Sequence, residues 1–217
     1  MASEQEIRKQ MCEVGKRMYA RNMAAANDGN ISVKLGGGEW LCTPTCVSKG
    51  FMTPEMMCKV DAQGNVIDAS GGYRPSSETP MHMRLYTKRD DIGAVVHAHP
   101  AHATAFAVAG IPLNKPIIPE AVIFLGDVPI VEYGTPTTDE LPDNLMKYVL
   151  DYDAVLLESH GALTWGRDLI SAYHLMESLE FYAEMMYKAK MLGGPRELSQ
   201  GNVQRLHGLR KRFGVAK

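Results

Sequence analysis

The string Val95-Val96-His97-Ala98-His99-Pro100 carries two imidazoles at a spacing that puts both on one face of an extended strand. Ring nitrogens so placed can bind one ion without distorting the backbone. Pro100 ends the strand, which sets the pair near a sheet rim where a ligand can enter. A third imidazole, His160, closes another apolar run, Ala154–Glu158, and is followed by Gly161. A neighbouring strand would bring it beside the first two. Three histidines with a fourth position open is the arrangement of catalytic zinc, whereas a structural site is closed by four protein ligands. The competing reading of each ring is a buried histidine satisfied by backbone hydrogen bonds. His82, His102 and His174 fall on expected helices and His207 in the tail; these read as structural or solvated.

Other chemistry-bearing residues are less specific alone. Glu78 stands just before Pro80, where a helix is expected to start and where the helix dipole favours a carboxylate. That placement is also compatible with an acid/base role. The four cysteines, Cys12, Cys42, Cys46 and Cys58, form no C-x-x-C pair and read as free thiols of a reducing cytoplasm. Cys42 and Cys46 alone make a poor zinc site.

The elements that must position these groups are legible in outline. Ser3 and Glu6 have capping-box spacing ahead of Ile7, Met11, Val14 and Met18, an apolar helical face. Asn27-Asp28-Gly29-Asn30 breaks that helix. Ile31–Leu35 and Trp40–Thr43 read as a hairpin about Gly36–Gly38, and Val60-Asp61 with Val66-Ile67 as a second one. A helix is predicted from Pro80 to about Lys88, a strand over Gly93–His99 and a short helix over Ala101–Ala109. Then follow a strand over Val128–Tyr133, a helix over Thr138–Asp151, a strand over Ala154–Glu158 and a long helix from Asp168 to about Leu192. Helices and strands so mixed, with short turns between strands, predict an α/β domain with a largely antiparallel or mixed sheet.

The 217 residues are 45% hydrophobic and 22% charged, the balance of a globular protein. A net charge of -2 argues against general binding to nucleic acid or an anionic membrane. No run resembles a signal peptide or is long enough to span a bilayer, so a cytoplasmic location is expected. The basic stretch Arg205–Arg212 reads as part of a solvated tail.

Five ordered motifs go further: Gly29-Asn30-Ile31-Ser32, Thr43-Pro44-Thr45, Pro75-Ser76-Ser77-Glu78, His97-Ala98-His99-Pro100 and Ser159-His160-Gly161. In order and spacing they resemble the class II aldolase/adducin family, in particular its L-fuculose-1-phosphate aldolase branch, from about Ile7 to Leu192. The resemblance implies a three-layer α/β/α fold around a mainly antiparallel sheet, one domain over residues 1–217 with 193–217 a polar C-terminal tail. It also implies a cyclic homotetramer with sites at subunit boundaries. By the same carry-over His97, His99 and His160 match zinc ligands and Glu78 the catalytic carboxylate. Asn27, Gly29, Asn30, Thr45, Cys46, Ser76 and Ser77 match positions that cradle the substrate phosphate; glycine turns and hydroxyls do supply the donors a dianion needs.

The implied reaction is reversible cleavage of a ketose 1-phosphate to dihydroxyacetone phosphate and a small aldehyde. No Schiff-base lysine is required, so Lys49 and Lys59 read as surface or phosphate-edge residues. Two positions depart from the branch. Cys46 stands where many relatives have glycine, and Glu120 falls near a position where the fuculose-phosphate enzyme carries a tyrosine; Glu120 is retained as a candidate catalytic group. Phe213 is the nearest aromatic to that enzyme's C-terminal tyrosine. Other reactions on the scaffold are a methylthioribulose-1-phosphate-type dehydration and a 4-epimerisation. Glu78 counts against the epimerases, which carry aspartate there. Adducin-like interaction modules lack the full histidine set found here.

Overall fold

A computed structural model describes residues 2–135 and 138–215. Helix α1, Glu4–Ala20, begins as its sequence predicts: Ser3 Oγ accepts from the Glu6 N–H, and Glu6 accepts from the Ser3 N–H at 2.7 Å. Such a cap stabilises by about 1 kcal/mol. Met11, Val14 and Met18 are buried beneath it.

The strands are β1 Asn30–Gly36, β2 Glu39–Cys42, β3 Cys58–Asp61, β4 Val66–Asp68, β5 Ala94–Ala98, β6 Ile130–Val131, β7 Ala154–Leu157 and β8 Gly161–Gly166. They form one sheet in the order β4-β3-β2-β1-β5-β8-β7-β6. Every pair is antiparallel except β6 with β7. The remaining helices are α2 Thr79–Lys88, α3 Ala101–Val108, α4 Glu140–Leu145, α5 Leu169–Met191 and α6 Gln200–Arg210.

Two cores sandwich the sheet. On one face Ala94, Val96 and Ala98 of β5 pack with residues of α1, α3 and α5; on the other Val95 packs with Leu163, Trp165 and residues of α2 and α4. This is the expected three-layer α/β/α arrangement. All five residues of β5 are buried, in the middle of the sheet. Each fully buried Val or Leu there contributes about 1.5–3 kcal/mol, so the histidine-bearing strand is among the least movable parts of the fold.

The structure departs from the sequence reading in four places. Strand β8 follows β7 directly, because Ser159 reverses the chain in a left-handed conformation at φ 55 that no glycine announces. The strand expected over Val128–Tyr133 shrinks to Ile130–Val131, with Val128 bridged to Leu113. The helix expected over Thr138–Asp151 shrinks to Glu140–Leu145 and continues as turns. Finally, the segment read as a polar tail carries α6, which buries none of its residues yet is fastened where Arg210 Nη1 donates to the carbonyls of Val122 (3.0 Å) and Ile123 (2.9 Å).

Candidate metal centre and its acid/base group

His97 sits on β5 opposite Asn30 of β1 and Leu163 of β8. His99 lies just past the end of β5, where its N–H donates to the Met23 carbonyl at 2.9 Å. His160 occupies the tight reversal between β7 and β8. A Cβ at Gly161 would lie 2.6 Å from both the Ala98 carbonyl and the His99 ring, so only glycine lets β8 start this close to the histidine strand. The three rings converge, with centroids 4.7 to 5.0 Å apart.

Hydrogen bonds select the nitrogens that face inward. His97 Nδ1 lies 2.9 Å from the Ala162 carbonyl and His99 Nδ1 3.2 Å from Asp28 Oδ2. Both partners only accept, so both Nδ1 atoms carry the hydrogen and both Nε2 atoms present lone pairs. Those Nε2 atoms are 3.1 Å apart. Two acceptors facing each other repel unless a cation lies between them. Zn–N bonds of about 2.0–2.1 Å in a tetrahedral shell put neighbouring nitrogens about 3.3 Å apart, close to this spacing. With His160, the three donor atoms lie within 4.8 Å of one another. Burial pushes His97 down to about 4, against the pull of Glu78, and burial lowers His160 as well. Neutral rings with free lone pairs are what a metal requires. The donor set therefore fits zinc.

Glu78 is the residue before α2, half-buried, with its carboxylate between two of the rings. Oε2 lies 3.4 Å from His97 Nε2, and Oε1 lies 3.4 Å from His160 Nε2. Asn30 Nδ2 donates to Oε2 at 2.5 Å. Burial alone raises the Glu78 pKa; the His97 and His160 rings and the Asn30 amide outweigh it, so the group is held below the usual carboxylate range. A cavity of about 220 Å³ opens beside it, lined by Ser77, Glu78, Met81, Thr135, Thr138 and Leu141.

The loops assigned to phosphate are tied to one another. Thr45 N–H donates to the Arg74 carbonyl at 2.9 Å and Ser76 N–H to the Thr43 carbonyl at 3.1 Å, which clamps the Thr45–Cys46 and Ser76–Ser77 segments together. Gly29, at φ +73, passes so near β5 that a Cβ would lie 2.8 Å from the His97 carbonyl oxygen. Cys46 is exposed and holds φ 58, a left-handed value that costs a side-chain-bearing residue strain. Asn27 and Ser77 are exposed at the loop surface, while Thr45 and Ser76 are half-buried.

Residues 9–187 match the family described as Class II Aldolase and Adducin N-terminal domain. The chain belongs to the class II aldolase and adducin family. An L-fuculose phosphate aldolase of Methanococcus maripaludis is 34% identical over 175 residues, 81% of this chain and 93% of that protein. A 3-oxo-tetronate 4-phosphate decarboxylase of Pectobacterium atrosepticum is 33% identical over 191 residues, 86% of each chain. A solved L-fuculose 1-phosphate aldolase superposes with a TM-score of 0.87 at 29% identity, covering 99% of this chain and 98% of that one. The protein is thus a class II aldolase-family enzyme, and its likeness to aldolase and decarboxylase relatives is equally strong.

Within this family member, three sequence assignments look different in place. Asn30, assigned to the phosphate, is buried with its amide committed to Glu78, because β1 register sets it opposite His97. Glu120 is exposed at the start of a short π-helical turn, Ala121–Leu125, and no hydrogen bond or ion pair among the described residues joins it to Glu78 or the three histidines. Lys49 is not a surface residue: it is 1% exposed, its ammonium held by backbone carbonyls. Sequence reasoning also missed Asp28, which orients His99 from a loop that reads only as a turn. Of the remaining histidines, His102 Nδ1 faces Glu180 of α5 at 2.8 Å, His82 is buried, and His174 and His207 are exposed.

Proposed function

We propose that the enzyme is a zinc-dependent aldolase. It reversibly cleaves a ketose 1-phosphate, L-fuculose 1-phosphate or a related deoxyketose 1-phosphate, to dihydroxyacetone phosphate and a small aldehyde. The observation that carries this reading is the Glu78 carboxylate lying 3.4 Å from the inward nitrogens of both His97 and His160. An acid/base group then stands beside the place where a carbonyl would be polarised. The aldolase relative at 34% identity supports the same chemistry.

His97, His99 and His160 would hold the zinc, which when bound supplies a Lewis acid that acidifies the C–H next to a carbonyl. Glu78 moves the proton. In the synthetic direction it accepts hydrogen from the carbon of dihydroxyacetone phosphate that attacks the aldehyde. In cleavage Glu78 takes the proton of the hydroxyl beside the breaking C–C bond as the aldehyde forms, and returns that proton to the carbon left behind. Asn30 keeps the carboxylate turned toward the rings. Asn27, Gly29, Thr45, Cys46, Ser76 and Ser77 hold the phosphate and so fix the reacting carbon at Glu78. This reading carries with it a homotetramer in the cytoplasm; no helix of the described residues is long and apolar enough to cross a membrane.

A second reading is favoured by the decarboxylase relative at 33% identity. Loss of carbon dioxide from a phosphorylated 3-oxo acid also leaves a carbanion beside a carbonyl, which Glu78 is placed to protonate. The test is to incubate zinc-loaded enzyme with L-fuculose 1-phosphate and with 3-oxo-tetronate 4-phosphate, with and without chelator. Chelator-sensitive release of dihydroxyacetone phosphate supports the aldolase. Carbon dioxide release alone transfers the assignment to decarboxylation, and a product retaining every carbon would point to dehydration or epimerisation.

A further inference from the structure

Lys49 is a fully buried cation without a carboxylate partner. Its Nζ donates to the carbonyl of Asn27 at 3.0 Å and of Val47 at 2.6 Å, and no carboxylate pairs with it among the described residues. Asn27 lies on the loop that leads into β1, and Val47 on the loop that leaves β2. These two loops carry Asn27, Gly29, Thr45 and Cys46. The position is built from both sides. Gly15 of α1 has no side chain because a Cβ would lie 2.6 Å from the Lys49 carbonyl, and Gly50 similarly admits the Tyr19 ring. An isolated ammonium taken out of water is costly, and two carbonyl dipoles offset only part of that cost. An anion arriving at the loops would supply the rest.

We propose that Lys49 is the positioning cation of the phosphate end: from beneath, its ammonium locks the Asn27 and Val47 loops together and supplies countercharge to the phosphate dianion they bind. The inference rests on the proposed reading of those loops as the phosphate cradle. Charge bears on Lys49 from Asp28 on one loop, Cys46 on the other and Glu78 before α2, so its ammonium feels the site. Burial pushes its pKa down to about 8, leaving the group charged at neutral pH and neutral in mild alkali. Inorganic phosphate is mostly dianionic by pH 8 and its charge changes little above that, so a fall in affinity at higher pH is the ammonium's.

The test uses the full-length, zinc-loaded enzyme and inorganic phosphate as probe, followed by calorimetry from pH 8 to pH 10, together with zinc content and the KM and kcat of the phosphorylated substrate. In the wild type, phosphate affinity should fall as pH rises through this range. Lys49→Met should retain zinc, bind phosphate about tenfold or more weakly at pH 8, and lose the pH dependence, with KM raised more than kcat is lowered. Lys49→Arg should recover part of the affinity. A Cys46→Ser variant should keep the slope; if it abolishes the slope, the thiol and not the ammonium is responsible and the proposal fails. Equal phosphate affinity in wild type and Lys49→Met overturns the role of Lys49 alone, as does loss of zinc in parallel with phosphate. No phosphate binding by the wild type would overturn the cradle reading itself. If Lys49→Met does not fold, a flat wild-type profile from pH 8 to 10 is the overturning result.

Discussion

Asn30 and His97 face each other across the β1–β5 pair, and both reach the same oxygen of Glu78: the Asn30 amide donates to Oε2, and His97 Nε2 lies 3.4 Å from it. Sheet register therefore sets where the carboxylate sits relative to the imidazoles. Because the amide can donate equally to a neutral carboxamide oxygen, Glu78→Gln should preserve the local geometry and the zinc content. Turnover should fall by about 10²–10⁴-fold, the usual worth of a positioned acid/base. Metal analysis beside steady-state kinetics checks this. Turnover near that of the wild type would remove Glu78 from proton transfer.

The Asp28 carboxylate touches the metal group at His99, whose Nδ1 it meets at 3.2 Å. It fixes the ring so that Nε2 points at His97 and makes that nitrogen a better donor. Asp28→Asn keeps the size and loses the charge. Zinc affinity, read by competition with a chelator, should drop about 10–100-fold. An unchanged affinity would mean that the His99 ring is oriented by its surroundings without help from Asp28.

His82 couples the fold to pH. It is 1% exposed on α2, its Nδ1 lies 2.8 Å from Ser32 Oγ, and Ser32 Oγ lies 2.9 Å from the Tyr86 hydroxyl. Burial pushes its pKa down to about 3, with His97 adding to the effect and Glu78 opposing it. The unfolded chain, with an ordinary value of about 6.5, takes up a proton that the folded chain refuses. Stability from the neutral ring is thus whole above about pH 6.5 and is lost as pH falls toward 3. The loss is about 2 kcal/mol by pH 5. Urea midpoints of chelator-treated protein should fall between pH 7.5 and pH 5, and fall less in His82→Gln. Equal falls in both proteins would assign the acid sensitivity elsewhere.

What the sequence made legible was periodic or locally encoded. The Ser3–Glu6 cap, the glycine hairpin after β1 and the alternation that puts His97 and His99 on one face all depend on neighbours in the chain, and all appear in the structure. The features it hid depend on distant backbone. Ser159 turns left-handed without being glycine or asparagine, so the sequence shows the end of β7 but not that the chain returns at once as β8. Helix α6 buries no residue fully, and its apolar row is short: Val203, Leu206 and Leu209, half-buried among polar residues and glycines. Lys49 reads as a surface or phosphate-edge residue because lysine is rarely buried; the carbonyls of Asn27 and Val47 that accept its hydrogens leave no mark in the sequence. Asp28 looks like any turn aspartate until β5 brings His99 to it.

Cys46 offers a test of backbone geometry at the cradle. At φ 58 a residue with a Cβ carries about 1–2 kcal/mol of strain, while glycine adopts the conformation freely and costs about 0.5–1 kcal/mol in unfolded-state entropy. The two nearly offset, with the balance favouring glycine. Cys46→Gly should therefore raise the melting temperature by about 1–3 °C, given that 1 kcal/mol moves a chain of this size by about 2–4 °C. Cys46→Val, β-branched in the same conformation, should lower it by more than that. The backbone N–H survives in both variants, so phosphate contacts made through it persist in Cys46→Gly. The thermal order Gly above Cys above Val is the measurement. Valine equal to cysteine would mean that residue 46 relaxes to negative φ in solution, and the cradle would then be open to rearrangement when phosphate binds.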